Sequence, residues 1–289
     1  MLTTKIIQQC VVWACKQEVA APKPGNVNCF SDGHNMQVDD FLNSADEIAP
    51  IMAQADISVG EMILQAITAT RTVVDSNTNL GIVLLFSPLC VAIRHCHHIE
   101  QLPDALNQVL QNLTIDDAEQ CYQAIRLAEA GGMGKLEQYD IQTIPTITLR
   151  QAMEIAQKRD TIAKQYVNNY DEIFNIGLPN LTAAINCGES VEWATAFAYL
   201  SLLSHVPDTL ICRKQSMEHA QEVTAQAKNL IYKASKNNIL SDFEVDIITW
   251  DNELKKKAIN PGTTADLSAA TLLLFAFQQA FSSNRISVL

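Results

Sequence analysis

Two carboxylates stand where helical phase expects apolar side chains. In the first periodic segment Ile7, Val11, Ala14 and Ala21 share a face, and Glu18 lies on the same stripe. In the segment near 150–175 the stripe is Ala152, Ala156, Ala163, Val167, Tyr170 and Phe174, and Asp160 falls on it. An inward carboxylate must be paired, hydrogen-bonded or bound to a metal, because an isolated buried charge is too costly. A structural ion pair explains one such residue as readily as a functional site does. Two of them, each beside cations, point toward a site. Lys23 stands between two prolines, Arg159 and Lys164 flank Asp160, and Arg213 and Lys214 follow Asp208. Lys and Arg suit phosphate oxygens, carboxylates suit Mg²⁺, and helix N-termini add donors, so the mixture fits a triphosphate. Any one of these cations also reads as part of a solvated helix face, and for Lys164 that is the better reading.

The segments between helices carry the remaining signals. Ala21-Pro22-Lys23-Pro24-Gly25-Asn26 cannot be helical, since two prolines remove donors and push the preceding residues into extended conformations. The chain from there to Met36 is polar and irregular, a length that in a helical domain is more often functional than idle. It holds Asp32 and His34, the latter with an ordinary pKa near neutrality that suits a general base. A loop histidine bonded to its own backbone explains His34 equally well. Asp75 to Asn79 precedes a strongly apolar helix, Gly131 to Gly134 forms a glycine-rich corner, and Asn260 to Asp266 opens the last helix, with Thr263 as expected N-cap and Asp266 in the acidic N3 position. Gly131 to Gly134 lacks the Lys-Ser/Thr ending of a phosphate loop and follows no strand, so it reads as a helix end. Arg94 to His98 holds metal-capable groups in consecutive positions, which fits a basic helix C-terminus better than a converging ligand set. Serine-hydrolase elbows and His-Glu-x-x-His pairs are absent.

Helices must position all of this. Strand-like alternation is scarce, and Ala, Leu, Gln, Glu and Lys fill long segments at helical spacing. The spacing predicts helices at about 3–20, 39–54, 56–75, 79–95, 102–111, 115–130, 148–175, 180–186, 190–205, 208–235, 241–256 and 263–281. With no internal repeat and no linker-like stretch, the expected fold is all-α, a single compact multi-helix domain over 1–289 with long functional loops. The 289 residues are 48% hydrophobic and 18% charged, normal for a globular protein with a substantial core. A formal net charge of -12 argues against a nucleic-acid binder. Eight scattered cysteines without a CxxC pair read as reduced thiols, several of them small core residues. The first residues lack a secretory layout and no apolar run is long enough for a span, so a soluble, cytoplasmic protein without a membrane partner is expected.

Together the odd segments resemble, in order and spacing, the triphosphoribosyl-dephospho-CoA synthase family. Glu18 with Pro22-Lys23-Pro24-Gly25-Asn26-Val27, then Asp32-Gly33-His34-Asn35-Met36, then Phe41, Ser44 and Pro50, is similar to its N-terminal pattern. Asn77-Thr78-Asn79-Leu80-Gly81 is similar to its Asn-Thr-His-Lys-Gly motif. Asp208-Thr209 through Arg213 resembles its Asp-Thr-Asn segment and arginine, and Asn260-Pro261-Gly262-Thr263-Thr264-Ala265-Asp266-Leu267 resembles its Ser-Pro-Gly-Gly-Ser-Ala-Asp-Leu motif. The chain departs from the pattern at Asn79-Leu80, where the family has His-Lys, at Lys214, where it has glycine, and at Asn35, where it usually has Asp.

The resemblance implies a transferase using ATP and 3′-dephospho-CoA. The acceptor 2′-hydroxyl attacks C1′ of the ATP ribose, adenine leaves, and the 5′-triphosphate stays attached. Such a reaction passes through an oxocarbenium-like state and calls for a carboxylate near C1′ and a base for the hydroxyl. On this reading Glu18, Asp32 and His34 are the catalytic candidates. Lys23, Arg159 and Arg213 would meet the phosphates. Gly25 lies in the binding loop, and Asn77, Thr78 and Asn79 would donate to phosphate or ribose. Asp160 and Asp266 would hold Mg²⁺. A homodimer is a further expectation. Two alternatives stay open: a related ATP-using transferase acting on another acceptor in one-carbon (pterin- or furan-type) cofactor biosynthesis, and a nucleotide-binding homologue without catalysis.

Overall fold

Residues 1–28, 37–129, 140–234 and 239–283 are described by the computed structural model. Within them the protein is all-α, with fourteen α-helices and no β-strand, as its residue pattern predicts. The first eight are α1 Thr4–Ala20, α2 Val38–Met52, α3 Val59–Val73, α4 Leu80–Ile93, α5 Leu102–Gln111, α6 Ile115–Leu127, α7 Leu149–Ala156 and α8 Thr161–Asn168. The rest are α9 Leu178–Asn186, α10 Val191–His205, α11 Thr209–Lys214, α12 Met217–Ala234, α13 Glu244–Lys256 and α14 Gly262–Ser283. The chain divides into two compact units, one of Met1–Ala14, Asp40–Tyr170 and Leu273–Leu289, the other of Cys15–Asp39 and Asp171–Leu272. No described helix is long and apolar enough to cross a membrane.

The first unit is built around α4, which is apolar on every side and buried over nearly its whole length. Helices α3, α5 and α8 pack on it, and α6 packs on α3. Pro88 sits inside α4 and has no N–H to give the Leu84 carbonyl one turn earlier. The buried Tyr166 hydroxyl of α8 donates to that carbonyl at 2.5 Å, and the Tyr170 hydroxyl donates to Leu85 O at 3.0 Å. Burial holds both phenols well above their ordinary pKa, so they remain donors. Where α3 meets α6, Gly60 N–H donates to Asp117 Oδ1 at 2.7 Å; a Cβ there would stand 2.4 Å from Asp117 Cα.

The second unit repeats the device. Helix α10 is buried from Ala194 to Ser204, with α9 and α12 packed against it and α11 against α12. A π-helical turn, Ile173–Gly177, leads into α9. Gly177 faces α14 there, and a Cβ would come within 2.2 Å of Thr271 Oγ1.

Three expected features come out differently. The segment read as one helix over 148–175 breaks between Ala156 and Thr161, and Asp160 is the half-exposed N-cap of α8 rather than an inward side chain. Its Oδ1 accepts from Ile162 N–H at 2.8 Å and Ala163 N–H at 3.3 Å; capping wins over helical phase because Asp bonds a helix start better than it sits within one. The segment 208–235 breaks at Gln215–Ser216 into α11 and α12. Helix α14 starts at Gly262, so Thr263 lies inside it, and its donors are capped from elsewhere in the unit, as described below.

Of the cysteines, Cys10, Cys15, Cys90, Cys96 and Cys121 are buried and outside any disulfide, and burial pushes Cys10 and Cys121 up to about 12. These two are packing residues rather than nucleophiles.

Candidate active site

In the second unit, three of the odd sequence segments meet. Glu18 is buried on α1, 3% exposed, as its stripe position predicts, and its Oε1 lies 2.7 Å from Lys23 Nζ. Lys23 is fully buried at 0% exposure. Its ammonium also donates to the Glu18 carbonyl and, at 3.1 Å, to the Val27 carbonyl. Burial raises the Glu18 pKa, and Lys23 pulls it part of the way back. The three donors of Lys23 are thus directed at three protein oxygens. That makes it a strut of the Pro22–Asn28 loop, and the expectation that it meets phosphate finds no support in this geometry.

The same loop is held from three sides. Gly25 N–H donates to Asp251 Oδ1 of α13 at 2.8 Å, and Asn28 Nδ2 donates to the same oxygen at 3.3 Å. Asp251 Oδ2 accepts from Lys255 at 3.0 Å. Asn26 Nδ2 donates to Asn260 Oδ1 at 2.8 Å, and Tyr199 of α10 donates to Pro24 O at 2.8 Å. Gly25 has φ +82°, and a Cβ would stand 2.9 Å from Ile259 O and from Pro261 Cδ. Both the backbone conformation and the close approach require glycine.

Asp208 ties the other two segments together. It is 1% exposed and caps α11, its Oδ1 accepting from Leu210 N–H at 2.8 Å and Ile211 N–H at 3.1 Å. Its Oδ2 accepts from Thr264 N–H at 2.7 Å and Thr264 Oγ1 at 2.8 Å, so one carboxylate serves the N-termini of α11 and α14. Thr209 Oγ1 donates to Thr263 Oγ1 at 3.2 Å. Desolvation raises the Asp208 pKa, against the pull of these four hydrogen bonds. Arg213 is half-buried at the end of α11, and Asp266 is half-exposed on α14, past its first turn rather than at the acidic N3 position expected of it.

The fourth segment lies in the first unit, at the N-terminus of α4. Asn77 Oδ1 accepts from Leu80 N–H at 3.1 Å. Ser44 Oγ gives its proton to Asp40 O at 2.6 Å, so the 2.7 Å contact between Ser44 and Thr78 has Thr78 as donor. Asn79 is 4% exposed; its Nδ2 donates to Thr70 Oγ1 at 2.9 Å, and its Oδ1 has no partner. A buried carbonyl oxygen left unpaired costs about 1–3 kcal/mol. Asp160, described above, and the exposed Arg159 also belong to this unit.

Asp32, His34 and the corner Gly131–Gly134 lie outside the described residues. Among the described residues no group of three or more His, Cys, Asp or Glu side chains is placed to hold a metal ion. Residue pattern alone missed Asp251 and gave Asp208 no role. Asp208 carried a signal, as an Asp-Thr pair opening a short helix, whereas Asp251 reads as one more charge on a solvated helix face.

Comparison with known proteins gives the class. The family model described as CitG, ATP:dephospho-CoA triphosphoribosyl transferase, matches residues 4–285. The chain belongs to this family and is a transferase. It is 25% identical over 299 residues to the 2-(5″-triphosphoribosyl)-3′-dephosphocoenzyme-A synthase of Pectobacterium atrosepticum, covering 94% of this chain and 89% of that protein. A protein of Pectobacterium carotovorum assigned by inference to the same synthase is 26% identical over 294 residues, with the same coverage. A solved structure of a candidate triphosphoribosyl-dephospho-CoA synthase from Archaeoglobus fulgidus shares the fold, with TM-score 0.62, 24% identity, 82% of this chain covered and 98% of that one. These matches favour the dephospho-CoA reading over the alternatives with another acceptor or without catalysis.

Proposed function

We propose that this chain moves the 5′-triphosphoribosyl unit of ATP onto the 2′-hydroxyl of 3′-dephospho-CoA. The match of the family model over residues 4–285 carries the reading. The meeting of the Pro22–Asn28, Asp208–Arg213 and Asn260–Asp266 segments supports it. In the reaction the acceptor oxygen bonds to C1′ as the C1′–N9 bond breaks. Adenine leaves with the bonding pair, and the hydroxyl proton ends, through a base, on the departing adenine.

Glu18, Asp32 and His34 are the candidates for the carboxylate near C1′ and for the base. Glu18, buried and already engaged by Lys23, suits the holding of a conformation better than proton transfer. Asp32 and His34 then carry the chemistry, on the chain that leaves the clamped loop at Asn28. Arg213 and Arg159 are the phosphate cations, and Gly25 keeps the binding loop in its packed conformation. Magnesium would neutralise triphosphate charge, with Asp160 or Asp266 as its protein ligand. A cytoplasmic homodimer completes the reading.

The test is mass spectrometry of the products formed from ATP, Mg²⁺ and dephospho-CoA. The expected result is dephospho-CoA enlarged by a triphosphoribosyl group, with free adenine. ATP consumed to ADP or AMP, with adenine retained and dephospho-CoA unchanged, would overturn the proposal.

A further inference from the structure

The unpartnered oxygen of Asn79 has a fixed direction. Thr70 Oγ1 donates its one proton to Ala66 O at 3.0 Å, so toward residue 79 it can only accept. That assigns the 2.9 Å contact to Asn79 Nδ2 and turns Oδ1 away from Thr70. Asn79 is the N-cap of α4, yet its side chain makes no cap hydrogen bond. Leu80 N–H is taken by Asn77, and the first intrahelical bond runs from Val83 N–H to Asn79 O at 2.9 Å. Gly81 and Ile82 therefore present N–H groups with no carbonyl one turn back in the helix. Thr78 is spent on Ser44. What remains is an unpartnered acceptor oxygen on the cap residue, together with the backbone donors of the first turn, at the positive end of a helix of 14 residues.

Few ligand groups match that pair. A phosphate suits the N–H groups, but it turns acceptor oxygens toward the acceptor Oδ1. A divalent cation suits Oδ1, but the helix end and its N–H groups repel it. An amino group donates to Oδ1 and leaves the N–H groups unmatched. A hydroxyl donates once and accepts, and so matches both. We infer that Asn79 and the first turn of α4 bind a ribose hydroxyl of a nucleotide substrate and thereby select ribo- over deoxyribonucleotides. This rests on the transferase reading above, in which ATP and dephospho-CoA are the two possible sources of the hydroxyl.

Calorimetric binding distinguishes them. One arm compares ATP with its 2′-deoxy and 3′-deoxy forms, the other dephospho-CoA with its 2′-deoxy and 3′-deoxy forms, each on the wild type and on Asn79→Ala. The expected result is a loss of about tenfold or more for one deoxy form in one arm on the wild type, shrinking to within about twofold on Asn79→Ala. Asn79→Asp, which keeps an acceptor oxygen in place, retains most of the discrimination. A residue that only shapes the α4 terminus would weaken ribo and deoxy forms alike, and that outcome overturns the inference. Equal binding of ribo and deoxy forms by the wild type also overturns it while leaving the transferase reading intact. If the wild type binds neither nucleotide, both fall.

Discussion

The loop at Pro22–Asn28 and the turn at Asn77–Asn79 are both motif segments beside helix ends, and they differ in how their polar atoms are used. The first is braced by charge and saturated: Lys23 has three oxygens, and Asp251 holds Gly25, Asn28 and Lys255. The second has no charged side chain, yet it leaves one buried acceptor open. Charge in a motif is therefore a poor guide to what meets a ligand. A buried charge must be answered by the protein itself, and the answering groups make a rigid frame. A neutral amide can be left unanswered at modest cost and so remain available.

That contrast can be broken by mutation. Lys23→Met strands the buried Glu18 carboxylate, and a loss of about 3–5 kcal/mol is expected in urea unfolding. A loss under about 1 kcal/mol would mean the loop is not braced as described. Asp208→Ala leaves four donors at the starts of α11 and α14 without their acceptor, with an expected loss of about 3 kcal/mol by the same measurement.

The pH dependence has a definite sign. Burial raises Glu18 above its ordinary 4.5 and Asp208 above its ordinary 3.8, so across the interval above those values the folded state binds more protons than the unfolded one. Their contribution to stability is fully present below the ordinary values and is lost as pH rises through the raised ones. Wild type should therefore gain on Glu18→Gln as pH falls from 7 toward 4.5; a gap that stays flat in urea midpoints would deny the raised pKa. The smallest effect belongs to the open segment. Asn79→Ala removes an unpaired acceptor along with the donor to Thr70, so stability should change by less than about 1 kcal/mol. A larger loss in thermal melting would make Asn79 part of the frame.

The residue pattern carried the helices well where periodicity was strong, as in α3, α4 and α10, and it placed Glu18 inward correctly. It failed at Asp160, because helical phase assumes an unbroken helix and the gain from capping broke it there. It also failed at Thr263, since a cap can come from another element, here Asp208. Asp251 was invisible for a related reason: its partner Gly25 is 226 residues away, and nothing in its neighbourhood marks it. The open oxygen of Asn79 could not be foreseen from residue types, because it depends on which way the Thr70 proton points.

Adenine release tests the proposed reaction most directly. With ATP and Mg²⁺, chromatography should show free adenine only when dephospho-CoA is present. Adenine that forms equally without dephospho-CoA, or none at all under conditions where ATP is bound, would contradict the account.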